Sequence, residues 1–276
     1  MRERGERALM LQTGAGLAVI VLVLMLQAVA EPGRGASAAL VAAYPVFLER
    51  IEGNSLVWKD GTRMPLDDGK GAKSLDQKLE DPDIEDMLSM PYPLGRTGVP
   101  PAQDFDPGRV RFGPMLDKMY GNCLSADIAR KLVPVVWLPT KAGTRIMFHP
   151  ANGAAEQLRK VSEELDRLPP RFLEFLHPAA GSYNCRPIAG TRRLSAHGYG
   201  IAIDIATRRA HYWQWTKPAA GKGPDDARRW RNDIPWEIVE VFERHGFIWG
   251  GKWYHYDTMH FEYRPELIAA AKAGGR

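Results

Sequence analysis

An α+β fold, with a small and largely antiparallel sheet flanked by helices, is the architecture this sequence predicts. Short β-prone runs, at Val135–Leu138, Arg145–His149, Tyr183–Ile188, Gly200–Ile205 and around Phe261, interleave with two stretches of helical periodicity. No internal repeat competes with that reading. At 276 residues, 45% hydrophobic and 25% charged, the chain can bury an ordinary core and is not disordered as a whole.

The first thirty residues stand apart. Arg2, Arg4 and Arg7 precede an uncharged apolar stretch from Ala8 to Ala30, the pattern of an export signal. Ala28-Val29-Ala30 offers an A-x-A cleavage site, yet 23 uncharged residues also suffice to span a bilayer, so cleavage and retention as an inner-membrane anchor both stay open. Either way the basic flank stays cytoplasmic and the remainder is exported, periplasmic or held at the inner membrane facing the periplasm.

Residues 31–108 read as an N-terminal extension ahead of a main domain at 109–276. Within the extension, Leu56–Leu66 predicts a hairpin, because apolar residues flank Lys59-Asp60-Gly61, a D-G turn. Pro91–Gly108, rich in Pro, Gly and Asp, predicts a loop or linker. A helix is expected from Ala154 to Leu168, where Leu158, Val161 and Leu165 form one stripe and Pro169-Pro170 ends it. A second is expected from Asp233 to His245, capped by Asn232 or Asp233, with Ile238, Val239 and Phe242 as its stripe and Gly246 as its stop.

Charge and cysteine content narrow the function classes. The formal charge is +4, and +3 without the first thirty residues, which hold three Arg and two Glu. That mild excess gives no reason to expect a nucleic-acid partner. The clusters Arg192-Arg193, Arg208-Arg209 and Arg228, Arg229, Arg231 could face an anionic wall polymer or simply form a solvated face. Cys123 and Cys185 are the two cysteines, and outside the cytoplasm they can pair; the alternative is two separate buried thiols. No C-x-x-C spacing supports cysteine ligation of a metal.

The densest chemistry lies in Ser195–Asp204, SAHGYGIAID, and Gly250–Tyr263, GGKWYHYDTMHFEY. Imidazole nitrogen and carboxylate oxygen together suit zinc, and a catalytic zinc takes three protein ligands while keeping one position open. His197, Asp204 and His260 would supply the three. Ile201, Ile203 and Ile205 alternate with Ala202 and Asp204, which sends the isoleucines to the core and Asp204 to the opposite face, with Ala202 keeping that face open. His197 is an odd seven residues from Asp204, so the chain must turn between them, at Gly198 and Gly200. On the later strand Phe261 and Tyr263 go inward while His260 and Glu262 face the cleft. Upstream, alternation in GSYNCR places Asn184 and Arg186 on one face and Tyr183 and Cys185 on the other.

Taken together, G-S-Y-N-C-R, S-x-H-x-x-G-x-A-x-D, and G-F-x-W-G-G-x-W followed by D-x-x-H-F resemble the D-alanyl-D-alanine carboxypeptidase family of zinc peptidases, over roughly Gly181 to Pro265. That family includes L-alanyl-D-glutamate endopeptidases and relatives with a hedgehog-like fold. The resemblance implies one Zn²⁺ on His197, Asp204 and His260, Asp257 as the catalytic base, Arg186 as the cation that polarises the substrate carbonyl, and stem peptides of peptidoglycan as the partner. Glu262 is the rival base.

Trp253, Tyr254, His255 and Tyr256 flank Asp257 and are expected to line a groove for an extended peptide, with packing as the alternative role for the aromatics. Ser195 is grouped with them, as a hydroxyl beside the ligands rather than a nucleophile, since no S-x-x-K or G-x-S-x-G is present. His255 and His260 are five apart, which excludes the helical H-E-x-x-H pattern. A non-catalytic wall-binding or interaction module with a structural zinc is the competing class.

Overall fold

The computed structural model describes residues 32–97, 100–188, 191, 193–205, 207–215 and 230–274. The apolar stretch at 8–30 and Arg192, Arg228 and Arg229 therefore lie outside the described residues. Among those described, no helix is long and apolar enough to cross a membrane.

The fold is α+β. Near the N-terminus α1 (Pro32–Ala43) precedes a three-stranded antiparallel sheet of β1 (Leu48–Glu52), β2 (Ser55–Trp58) and β3 (Arg63–Pro65). The expected hairpin is its β2–β3 half, and the turn uses Gly61 at φ 83°. Two short helices follow, α2 (Leu75–Glu80) and α3 (Ile84–Leu88), each with a capping box: Ser74 with Gln77, and Asp83 with Asp86. Residues 91–108 form an irregular loop, and α4 (Gly113–Tyr120) succeeds it.

Beyond α4, β4 (Val133–Trp137) and β5 (Thr144–Phe148) make a two-stranded antiparallel ribbon. Helix α5 (Ala154–Asp166) packs on β4, burying Leu158, Val161 and Leu165 as its periodicity requires. Ser162 ties the two elements, donating to Val136 O (2.9 Å) and accepting from Leu138 N (2.8 Å).

The principal sheet is antiparallel, in the order β6 (Ala179–Gly181), β7 (Ala202–Ile205), β9 (His260–Tyr263), β8 (Phe247–Trp249). Helix α6 (Trp236–Arg244) covers it, with Phe242 stacked on Phe261 at 3.8 Å between ring centroids. Full burial of a phenylalanine contributes roughly 1.5–3 kcal/mol, so this contact does much to seat β9. The chain ends in α7 (Pro265–Gly274), which packs along α1. Residues 31–276 form one compact unit, so the described residues of the extension, from Pro32 on, are built into the same body as the sheet.

Three local expectations are corrected. Helix α6 starts at Trp236 with Pro235 as its N-cap residue, because Asn232 bonds Ile234 N (2.7 Å) and Asp233 pairs with His211 (2.9 Å). Tyr183–Arg186 is a loop, not a strand: β6 lies just upstream, Pro187 makes only an isolated bridge to Leu194, and Cys185 is tethered to Cys123. The alternation expected of GSYNCR therefore does not apply. Nor does Ala202 leave an open face, since it is fully buried and pairs with Glu262.

Cys123 and Cys185 form a disulfide with Cα atoms 5.8 Å apart and a sequence separation of 62. Closing a loop of that length stabilises the fold by about 4 kcal/mol on the chain-entropy account. The Cys123→Ala/Cys185→Ala variant is expected to lose stability of that order in urea unfolding. A loss well under about 1 kcal/mol would show that the bridge does not constrain the unfolded chain.

Candidate metal and catalytic site

Strand pairing brings two of the three proposed ligands face to face. Asp204 on β7 is in register with His260 on β9. His197 arrives from a 3-10 turn, Ala196–Tyr199, which Ser195 opens by accepting His197 N (3.3 Å) and Gly200 closes at φ 68°. The left-handed backbone favours glycine there, and a Cβ at Gly200 would sit 2.6 Å from the end of the Leu132 side chain, which would have to shift.

The resulting triangle is tight. His197 Nε2 lies 3.1 Å from His260 Nδ1 and 3.2 Å from Asp204 Oδ1, and His260 Nδ1 lies 3.1 Å from Asp204 Oδ1. Ligand atoms about 2.0–2.1 Å from a tetrahedral zinc stand about 3.3 Å from one another, so this donor set fits that ion. Among the described residues the group stops at three. The tautomer of His197 is fixed from behind: its Nδ1 faces Ser182 O at 2.5 Å, so the proton sits there and Nε2 presents its lone pair.

Electrostatics follow from this packing. Burial works to raise the Asp204 pKa, but hydrogen bonds with His197 and His260 hold it well below the usual carboxylate range. Burial opposes charge on His260, yet its bonds with Asp204 and Glu262 push its pKa up to about 10. A proton therefore competes for the place of a cation, and metal binding must weaken as pH falls.

Asp257 stands beside the triangle. Burial pushes its pKa up to about 6, with the charge of His260 pulling it down and that of Asp204 pushing it further up. Its Oδ1 is buried without a hydrogen-bond partner among the described residues. A buried carboxylate oxygen left unpaired is costly, as expected where a water or substrate group completes the set. Its backbone is held by a bridge to Tyr212 and by Asp257 N donating to Gly250 O (3.0 Å). Gly250 permits that approach, since a Cβ there would lie 2.6 Å from Asp257 O.

The other expected site residues separate. Arg186 is exposed, donating to Pro187 O at 3.5 Å, and its charge reaches Tyr212, the backbone partner of Asp257. Glu262 is on the face of His260 as expected but is fully buried and paired with Arg111 and Arg264, which hold it well below the usual carboxylate range against its burial. A carboxylate so committed is a poor proton acceptor. That weighs against Glu262 as the base.

Two aromatics leave the groove in which the sequence places them. Trp253 is 4% exposed, packed with Tyr92, Ile248 and Leu267 and bonded to Pro107 O, and it backs His260 at 5.6 Å. Tyr256 is 1% exposed. Both are corrected to packing roles, because 250–259 is a 3-10 turn followed by irregular chain whose sides cannot be read from alternation. Tyr254 and His255 are half-buried, His255 Nδ1 pairing with Asp106 at 2.6 Å. Ser195 is buried and its hydroxyl accepts His197 N, so it serves the turn that carries His197. A cavity of about 350 Å³ is lined by Met147, His177, Gly181, Tyr183 and Ser182, the residue whose carbonyl holds His197.

Sequence reasoning missed Ser182 and Arg111. The first acts through its backbone carbonyl, which carries no side-chain signal, and the second meets a residue 151 positions away.

Comparison with curated proteins gives no match, and neither does comparison with solved structures. The family model described as D-alanyl-D-alanine carboxypeptidase matches residues 189–263, a span that holds His197, Asp204, Asp257 and His260. Over that segment the chain is similar to the D-alanyl-D-alanine carboxypeptidase family of peptidases.

Proposed function

We propose that the chain is an exported zinc peptidase that hydrolyses D-amino-acid-containing bonds in the stem peptides of peptidoglycan, as a D,D-carboxypeptidase or an L,D-type endopeptidase. The observation that carries this reading is the triangle of His197 Nε2, Asp204 Oδ1 and His260 Nδ1, at 3.1–3.2 Å, with an unpaired buried carboxylate oxygen of Asp257 beside it. A structural zinc normally closes its fourth position with another His or Cys, and the described residues bring none to this group.

When bound, zinc would serve as a Lewis acid, polarising the amide carbonyl and making water acidic enough to attack near neutral pH. His197, Asp204 and His260 would hold it. Asp257, ionised above its pKa, takes the proton of the attacking water and delivers it to the leaving amine, a role that typically contributes about 10²- to 10⁴-fold. Arg186, on the solvent side near Tyr212, is suited to meet the carbonyl oxygen as negative charge develops, once substrate draws it inward.

Export is supported by the basic and apolar leader at residues 2–30 and by the disulfide, a bond that persists in oxidising compartments. Whether the leader is cleaved or retained as an inner-membrane anchor is part of the same proposal.

Digestion of purified peptidoglycan, with mass identification of the released fragments, tests the reading. Hydrolysis should be abolished by a chelator and restored by zinc, and the fragments name the bond. Undiminished hydrolysis after verified metal removal would rule the mechanism out. Zinc-loaded protein that binds peptidoglycan and releases nothing would favour the interaction module.

A further inference from the structure

The matched segment holds the three ligands, and a residue outside it is bound to their neighbour on β9. Glu262 lies two residues along β9 from His260 on the same face, opposite the small Ala202, with its carboxylate fully buried. Arg111, from the loop ahead of α4 and outside the matched segment, grips it by both oxygens: Nε to Oε1 at 2.8 Å and Nη2 to Oε2 at 2.5 Å. Arg111 is anchored in turn by Arg109 O at 3.2 Å.

Arg264 adds a third contact, Nη1 to Oε1 at 3.4 Å, and is itself held by Gly108 O at 2.7 Å and by Glu266 at 2.5 Å. Tyr44 donates to Glu266 at 2.7 Å. The network thus runs from the end of α1 to β9. At its other end Glu262 Oε2 faces His260 Nε2 at 3.5 Å.

Buried ion networks are a weak source of stability, because desolvation offsets most of the attraction and apolar replacements often serve as well. A second use is needed to account for one here. His260 turns Nδ1 toward Asp204 and His197, so with Nδ1 committed to a cation its proton resides on Nε2, from which the ring can donate a hydrogen bond to the Glu262 carboxylate. Outer carboxylates of this kind fix ring orientation and raise the basicity of a ligating imidazole.

Resting on the zinc-peptidase reading, we propose that Glu262 and Arg111 are positioning residues for the metal centre: Arg111 clamps the Glu262 carboxylate, and Glu262 holds the Nε2 side of His260 so that Nδ1 points at the cation. The segment before residue 189 is then a working part of the site rather than an appendage.

The test uses the full chain and reads metal binding directly. Zinc affinity is measured by competition with a chromophoric chelator, the visible spectrum of the Co²⁺-loaded protein reports ligand geometry, and near-ultraviolet circular dichroism reports folding. Glu262→Gln, which keeps the shape and removes the charge, should weaken zinc binding about 10- to 100-fold and shift the cobalt bands. Arg111→Met should do the same by releasing the clamp, and Arg111→Lys, which keeps one charge but not the fork, should fall between it and wild type.

If Glu262→Gln does not fold, the two Arg111 variants carry the test. Folded variants that bind zinc within about threefold of wild type, with an unshifted cobalt spectrum, overturn the proposal while leaving the zinc-peptidase reading intact. Failure of wild-type protein to bind zinc at all would overturn both.

Discussion

His260→Ala is expected to lose both zinc and turnover. The ring supplies the one corner of the donor triangle on β9, 3.1 Å from each of the other two, and its removal leaves two ligands where a catalytic zinc needs three. The loss in zinc affinity should exceed the 10- to 100-fold typical of residues that only support a ligand, and turnover should fall to background because, without the cation, the attacking water is no longer made acidic and Arg186 alone does not supply that step. The fold should survive, since β9 is seated by Phe261 against Phe242 rather than by the imidazole. Equilibrium dialysis with metal analysis, alongside muropeptide turnover, checks both halves. A folded His260→Ala protein that keeps stoichiometric, tightly held zinc would mean that the ligand set is wrong.

Where local pattern carries the information, the sequence was legible. Alternation in Ile201–Ile205 and in His260–Tyr263 placed Asp204 and His260 on strands, and the odd spacing from His197 to Asp204 required the turn that Gly200 makes. Leu158, Val161 and Leu165 located α5 for the same reason. Helices α2 and α3 were overlooked although Ser74-x-x-Gln77 and Asp83-x-x-Asp86 carry their capping boxes, because neither is long enough to show a period.

What depends on tertiary neighbours stayed hidden. Trp253 and Tyr256 sit in irregular chain, where side-chain direction follows no repeat, and only packing shows that they are buried. Glu262 could be put on the face of His260 from strand period alone, but whether it was free or ion-paired depended on Arg111 and Arg264. The placement of the candidate ligands was therefore readable from the motif, and their supports were not.

Those supports also decide which carboxylate acts as base. Asp257→Asn should retain zinc and the fold while turnover drops by roughly 10²-fold or more, because the amide preserves size and removes no ligand atom but cannot accept a proton. Burial pushes the Asp257 pKa up to about 6, so wild-type kcat/KM should rise with pH as this group ionises and fall away in acid; a bound cation would draw that limb lower. In Asp257→Asn the limb should disappear from what activity remains. Glu262→Gln provides the contrast: Arg111 and Arg264 already commit its charge, so at saturating zinc its turnover should recover far more than that of Asp257→Asn. Near-normal turnover in Asp257→Asn, together with loss of activity in Glu262→Gln at full zinc occupancy, would transfer the role of base to Glu262. Full activity in both would mean that neither carboxylate activates the water, and the proton acceptor would have to come from substrate or solvent.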